Sequence, residues 1–130
     1  MRQVFLPLAC LALLAGCTTT EAGTSAPSLG DSEWRFTAID GAPPVGEATL
    51  SFHGDRLSAN AGCNRMGGTW RSEGGKLVAG PLMGTKMFCE GKMEQERAVS
   101  ELLGSSPDLA LSADRMTLKT TAHSAELVRK

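Results

Sequence analysis

The stretch Gly62-Cys63-Asn64-Arg65-Met66-Gly67-Gly68-Thr69-Trp70 combines turn-forming residues with a glycine pair and a large aromatic side chain. Gly62 and Asn64 tolerate left-handed backbone conformations, and an asparagine side chain also bonds its own backbone in turns. Gly67 and Gly68 allow the close approach of another chain segment or a bulge in a strand. The stretch therefore predicts a tight turn that leads into a closely packed strand at residues 67–71.

Short segments of alternating apolar and polar residues lie on both sides of this stretch. Such a period of two is typical of half-buried strands, and turn residues separate the segments. The other predicted strands cover residues 34–39, 48–52, 56–60, 76–79, 109–111, 115–120 and 125–129. Together they indicate about five strands, then a helix, then about three strands.

Residues 93–103 predict the one helix, because they are rich in good helix formers. Glu94 and Glu96 lie near its positive end, where carboxylates favour the helix dipole rather than acid–base chemistry. Gly104 and Pro107 suit its termination. Its predicted buried stripe consists of Ala98, Val99, Leu102 and Leu103. Short strands around one helix fit a small barrel or a sheet closed over the helix.

The N-terminus has the layout of an exported leader. Arg2 is followed by an apolar run over residues 4–14, which is too short to cross a bilayer. The run ends in Leu14-Ala15-Gly16 before Cys17, as in the bacterial lipobox. We therefore predict a lipoprotein signal peptide at residues 1–16 and lipidation of Cys17. Cleavage without lipidation and a short buried helix are the alternatives.

A cysteine lipidated in this way carries two or three acyl chains, which anchor it permanently to a membrane. Thr18, rather than Asp, follows it, and by resemblance to Gram-negative lipoproteins this favours the outer membrane. We expect a bacterial envelope protein that faces the periplasm. Residues 17–32 are rich in Thr, Ser, Ala and Gly and predict a flexible tether. Residues 33–130 then form one domain with one core.

Charge and cysteine count narrow the function classes. The chain has 13 basic and 14 acidic residues, and the basic ones are scattered, so we expect no nucleic-acid partner.

Of four cysteines, Cys10 leaves with the leader and Cys17 is acylated. Cys63 and Cys89 remain, and an oxidising compartment favours a disulfide between them. Two buried free thiols are the alternative.

No catalytic or metal-binding constellation emerges from the sequence. A thiolate nucleophile usually needs a histidine base, and His53 and His123 both lie beside turns, as surface loop histidines do. The Cys and His spacings fit no zinc finger. Four methionines could ligate Cu(I), but core packing explains them better: Met66, Met83, Met87 and Met93. We predict no enzyme activity, no metal and no cofactor.

A second segment, Thr85-Lys86-Met87-Phe88-Cys89, follows a predicted hairpin and precedes the helix. Together with the opening stretch it resembles the META domain family, also called HslJ-like after a bacterial heat-shock protein. Met66 and Trp70 stand where that family often has a large aromatic residue and a tyrosine. The matching positions are Gly62, Cys63, Asn64, Gly68, Trp70, Thr85, Met87, Cys89, Met93 and Glu96.

The resemblance implies an α+β fold, in which a curved antiparallel sheet or cracked β-barrel of about eight short strands packs on one helix. It also implies an envelope lipoprotein linked to stress, without established enzymatic activity. We expect a stress-related or assembly accessory that binds a protein partner at the membrane. One alternative is a module for a lipid or hydrophobic small molecule, its cavity lined by Leu82, Met83, Met87 and Phe88. A lysozyme-type hydrolase inhibitor is another.

Overall fold

The computed structural model describes Gly16 and residues 29–130. Cys17 and most of the predicted signal peptide and tether lie outside the described residues. The elements are β1 (Ser32–Ile39), β2 (Thr49–His53), β3 (Arg56–Asn60), β4 (Arg65–Glu73), β5 (Lys76–Ala79), β6 (Met83–Gly84), α1 (Met93–Gly104), β7 (Asp108–Leu111), β8 (Arg115–Lys119) and β9 (Ser124–Arg129).

The strands form one antiparallel sheet that closes into a barrel. Eight of them follow one another around the ring in the order β1, β2, β3, β4, β5, β7, β8 and β9, and β9 pairs back with β1. The ninth, β6, is hydrogen-bonded beside β4. A barrel with one helix is therefore confirmed. The cracked form of barrel is not confirmed, because strand pairing runs around the whole ring.

The ladder between β5 and β7 is the shortest in the ring, with Lys76 and Asp108 as its one registered pair. Their side chains form an ion pair at 2.7 Å. A backbone bond from Leu77 N–H to the Pro107 carbonyl, 3.0 Å long, extends the contact. Because β7 begins at Asp108, no described strand pairs with residues 77–79 on the side of β5 that faces away from β4.

β6 continues β5 along the same edge of β4. Trp70 pairs with Ala79, whereas Gly67 pairs with Met83, so the register shifts by one residue between the two strands. A bulge near Pro81 accounts for the shift. The alternating pattern stops at Pro81, which is why β6 was not among the predicted strands.

Apolar side chains from the strands and from α1 form the core of the barrel. The largest fully buried ones are Trp34, Phe36, Phe52, Leu50, Leu57, Leu77, Leu102, Leu103, Met116, Leu118, Leu127 and Val99. The Trp34 indole N–H donates to the Ser32 hydroxyl at 2.8 Å, and that hydroxyl donates to the Leu29 carbonyl at 2.6 Å. The predicted helix stripe, residues 98, 99, 102 and 103, is buried in the same core, which confirms that prediction.

The helix lies at one end of the barrel. Gln95 accepts a hydrogen bond from Val45 N–H at 2.7 Å and donates to the Ala61 carbonyl at 2.8 Å, which ties α1 to the β1–β2 and β3–β4 loops. Alternating strand directions put the β2–β3 turn at the other end, where Gly54 N–H bonds Asp31. The chain preceding β1 therefore enters opposite α1. Among the described residues, no helix is long and apolar enough to cross a membrane.

Candidate functional site

Asn64 is the centre of a buried hydrogen-bond network at the helical end of the barrel. It is only 2% exposed. Its amide nitrogen donates to Glu96 Oε1 at 2.7 Å and to the Met87 carbonyl at 2.9 Å. Its amide oxygen accepts from the Thr85 hydroxyl at 2.8 Å and from Met87 N–H at 2.7 Å. All four hydrogen-bonding positions of the side chain are used.

This network joins three separate pieces of chain. Glu96 lies on α1, Thr85 and Met87 lie on the segment before it, and Asn64 lies in the β3–β4 loop. The second oxygen of Glu96 also accepts a bond from the backbone N–H of Asn64 at 3.1 Å. Asn64 thus bonds other segments of the chain instead of its own backbone, and Glu96 serves this network rather than only the helix dipole. Their convergence depends on the fold, since 32 residues separate them.

A disulfide reinforces the same junction. Cys63 and Cys89 are bonded, with their Cα atoms 5.8 Å apart. Cys89 N–H also donates to the Met93 sulfur at 3.4 Å. We call residues 83–89, which this bond and Asn64 attach to the barrel, the pinned segment. It is held at Thr85, Met87 and Cys89.

Glycines are required where backbones meet in this region. Gly62 has a φ of 107°, in the range that favours glycine, and the Lys92 ammonium donates to its carbonyl at 3.3 Å. A Cβ on Gly68 would lie 2.8 Å from the Pro81 carbonyl oxygen. Gly84, which the sequence did not single out, would place a Cβ 2.6 Å from the Arg65 carbonyl oxygen. These approaches bring the pinned segment close against β4.

The apolar side chains of the pinned segment face the surface. Met83 is 79% exposed, Met87 59% and Phe88 80%. The prediction that Met83 and Met87 pack in the core is therefore wrong. Of the residues expected to line an apolar cavity, Leu82, Met87 and Phe88 do line one pocket, but it is open to solvent. The backbone of the pinned segment is fixed by Asn64 and the disulfide, so that its apolar side chains project outward. Leu82 is half-buried against the core and Met66 is buried in it.

An open groove of about 650 Å³ runs between the pinned segment and α1. Residues that line it include Gly84, Lys86 and Phe88 on one side and Arg97, Ser100 and Glu101 on the other. Lys86 and Arg97 were not predicted as site residues, because nothing in their local sequence distinguishes them from other surface charges.

Trp70, although it belongs to the motif, lies away from this groove. It sits on β4 toward the opposite end, where its indole N–H donates to the Gly54 carbonyl at 3.0 Å. Its ring meets Phe52 edge to face, with 4.9 Å between centroids. Trp70 thus stabilises the β2–β3 turn and does not contribute to the groove.

His123 bridges two carboxylates beside the groove and is not a free surface histidine, as its turn context had suggested. Its Nε2 lies 2.8 Å from Glu101, and its Nδ1 lies 2.9 Å from Asp40. Hydrogen bonds to Glu101 and then to Asp40 raise the pKa of His123. Burial opposes a fall in the pKa of Asp40, yet bonds from Ser124 N–H and His123 keep it below its ordinary value.

The described residues contain no group of three or more His, Cys, Asp or Glu side chains that could hold a metal ion. Asp40 and Glu101 face opposite nitrogens of the His123 ring, so they do not converge on one point. Cys63 and Cys89 are joined to each other and are not free thiols. The absence of metal, cofactor and catalysis stays a prediction.

Comparisons with solved structures show the same fold. A protein from Burkholderia xenovorans, solved by NMR, is 24% identical, with a TM-score of 0.65 over 87% of this chain and 96% of its own. A second NMR structure is also 24% identical, with a TM-score of 0.67 over 75% and 88%. A crystal structure of a DUF4847 family protein from Bacteroides vulgatus is 10% identical, with a TM-score of 0.56 over 77% and 93%.

No curated protein sequence matches the chain. The sequence model of the META domain matches residues 27–130, which is most of the chain and includes the Asn64 network, the disulfide and the groove. The chain belongs to the META domain family.

Proposed function

We propose that this protein is a lipid-anchored component of the bacterial envelope whose META domain binds a protein partner in a stress-related or assembly role and catalyses no reaction. The observation that carries the proposal is the pinned segment. Three large apolar side chains, Met83, Met87 and Phe88, are between 59% and 80% exposed on a backbone held by a disulfide and a buried amide. Exposed apolar groups clustered on a rigid support are typical of interaction sites.

The filled barrel supports a protein partner over an enclosed apolar ligand. Trp34, Phe36 and Phe52 occupy the interior together with the buried leucines. The groove beside α1 is open to solvent at residues 84–88, which are exposed. Such a surface suits a polypeptide better than a lipid tail, which needs an enclosed apolar site.

The position at which the folded domain begins fits a membrane anchor at Cys17. Leu29 and Asp31 lie at the end of the barrel opposite α1. A tether of about 12 residues has a root-mean-square reach of roughly 20 Å by the square-root scaling for flexible chains. It would hold the groove on the side of the domain that faces away from the membrane.

Site-specific photo-crosslinking in living cells tests the partner. A photoreactive amino acid at position 88 should give a crosslinked protein that mass spectrometry identifies. The same amino acid at Asp114, an exposed position in the β7–β8 loop at the opposite end, is the matched control. Equal crosslinking from both positions, or none from position 88, would contradict the proposal.

Metabolic labelling with a clickable fatty acid tests the anchor separately. The natural chain should take up label, and Cys17→Ala should not. Label retained by the variant would refute lipidation at Cys17, without bearing on the partner surface.

A further inference from the structure

We propose that the groove between β6 and α1 binds an extended acidic peptide of the partner, which pairs as an added strand with the free edge of β6. This inference rests on the proposed function, since it names the chemistry of the partner and its site. Three independent features of the groove support it: its backbone, its charge and its apolar wall.

The backbone of the pinned segment presents an unpaired edge. Thr85 N–H donates to the Arg65 carbonyl at 3.2 Å, and Met87 N–H donates to Asn64, so residues 85 and 87 face the barrel. Alternate residues of a strand direct their N–H and C=O groups to opposite sides. Those of Gly84 and Lys86 therefore point away from β4. In the described part of the chain, β6 has β4 as its one neighbouring strand.

An edge of this kind beside a helix is a site for strand addition. The main-chain bonds supply affinity, and side chains of alternate peptide residues supply specificity. The edge is rigid because Asn64 and the Cys63–Cys89 bond hold its inner side. A pre-ordered edge lowers the entropic cost of binding an extended segment.

The charges of the groove favour an acidic occupant. Lys86 and Arg97 stand on its two sides, and neither forms an ion pair or a side-chain hydrogen bond with another described residue. The two carboxylates that line it are already engaged, Glu96 by Asn64 and Glu101 by His123. Carboxylates of a bound peptide can therefore pair with both cations, whereas the lysines of a basic peptide would have to compete with Asn64 and His123 for Glu96 and Glu101.

The apolar side chains that line the groove add a second requirement for the sequence of the bound peptide. Met87 and Phe88 line the groove and are exposed. An alternating peptide that directs carboxylates to Lys86 and Arg97 directs its other residues toward the opposite face. The fitting sequence is thus one that alternates acidic and apolar residues.

The chain's own tether is a poorer occupant. Leu29, the residue at which the tether would join the barrel, lies at the far end, and the nine residues of β4 span about 30 Å at the usual rise of a strand. The tether would have to cover this length before it reached the groove. Of residues 18–28, Glu21 is the one acidic residue.

The test uses the full-length protein purified in mild detergent and a fluorescein-labelled octapeptide of alternating valine and glutamate. Fluorescence anisotropy measures binding. Two control peptides replace glutamate with lysine, or carry N-methyl groups on alternate amides to block strand pairing. We expect the lysine peptide to bind about tenfold more weakly, because its charges meet Lys86 and Arg97. The N-methylated peptide should lose binding by a similar factor.

Two variants at one position separate charge from backbone. Lys86→Ala removes the cation and should weaken binding about fivefold, as expected for an exposed ion pair. Lys86→Pro also removes the outward N–H and should weaken binding about tenfold further. Unchanged circular dichroism, melting temperature and thiol count establish that both variants are folded.

Three results would overturn the inference: equal binding of the valine–glutamate and valine–lysine peptides, equal affinity of the two Lys86 variants, or no peptide binding at all. A dimer that Lys86→Pro dissociates, or binding that appears only when residues 18–28 are deleted, would assign the edge to another copy or to the tether. Successful crosslinking from position 88 without peptide binding would defeat this inference alone. Peptide binding without crosslinking in cells would instead defeat the proposed function.

Discussion

The barrel interior and the pinned segment are stabilised by different forces. In the interior, Trp34, Phe36 and Leu127 are almost fully buried, and the loss of apolar contact with water holds them in place. In the pinned segment, Met83 and Phe88 are about 80% exposed. Their backbone is held by one covalent bond and by the amide of Asn64.

This difference explains how the domain can expose apolar side chains on an ordered surface. Hydrophobic burial is non-directional, and it would draw Met83 and Phe88 inward if the chain were free to turn. Hydrogen bonds and a disulfide have fixed geometry and hold the backbone whichever way the side chains point. The barrel provides stability, and the pinned segment provides a surface.

The largest effect is expected in the interior. Trp34→Ala should lower the free energy of unfolding by about 3 to 5 kcal/mol, because it leaves a large cavity and removes the indole N–H that donates to the Ser32 hydroxyl. Denaturant unfolding followed by circular dichroism measures it. Trp70→Ala is the matched control and should cost clearly less, since Trp70 is only half-buried. An equal loss of unfolding free energy in both variants would contradict the distinction between the filled interior and the half-buried surface of β4.

The second largest effect on stability is expected from removal of the disulfide. Replacing both Cys63 and Cys89 with serine should cost about 3.5 kcal/mol for a loop of this length on the chain-entropy model. The natural protein in reductant should unfold at the same denaturant concentration as the double variant. Two titratable thiols in the unreduced, denatured protein would show that the bond is absent.

Asn64→Ala should lower the free energy of unfolding by roughly 3 kcal/mol, because it leaves Glu96 and the Met87 backbone without their partners. Asn60→Ala is the control, since Asn60 donates nothing to this network and accepts one bond from Gly62 N–H at 2.9 Å. Its cost should be about 1 kcal/mol. Amide hydrogen exchange should show faster exchange at Met87 in the first variant and not in the second. If both variants behave alike, Asn64 is not the centre of the junction.

A smaller effect concerns pH. The pKa of His123 is raised above its ordinary value of 6.5, so its bonds stabilise the fold below that pH. This contribution is lost as pH rises through the raised value. The pKa of Asp40 is lowered from its ordinary value of 3.8, so the stability that its bonds give the fold is lost as pH falls from 3.8 through the lowered value. Melting temperature should therefore fall from pH 5.5 to 8.5 more in the natural protein than in His123→Gln.

Glu101→Gln serves as the control for that measurement. It removes the partner with the largest influence on His123, so it should flatten the same pH dependence while leaving Asp40 in place. Parallel curves for all three proteins would refute a role for His123 in stability.

The smallest effect on stability belongs to the exposed wall of the groove. Phe88→Ser should change the free energy of unfolding by less than about 0.5 kcal/mol, because little surface is buried there. Partner capture should nevertheless fall, as measured by crosslinking from a photoreactive amino acid at position 87. A variant that lost stability as well would show that Phe88 packs on the barrel.

Most elements of the fold follow from local sequence patterns. The strands at 34–39, 56–60 and 76–79 alternate, and the buried stripe of α1 has helical spacing, so each was predicted near its observed bounds. β6 was not predicted, because it is two residues long and lies beyond Pro81. Its place beside β4 depends on a bulge and on the absence of side chains at Gly68 and Gly84.

The amino-acid sequence is sufficient to identify the family, the helix and most strands, because these depend on neighbouring residues and their periodicity. The roles of Asn64, Glu96 and His123 depend on contacts between residues 22 to 83 positions apart. The exposure of Met83, Met87 and Phe88 has the same origin. A methionine in a sequence is equally suited to a core and a surface, and here the bonds of the adjacent backbone decide between them.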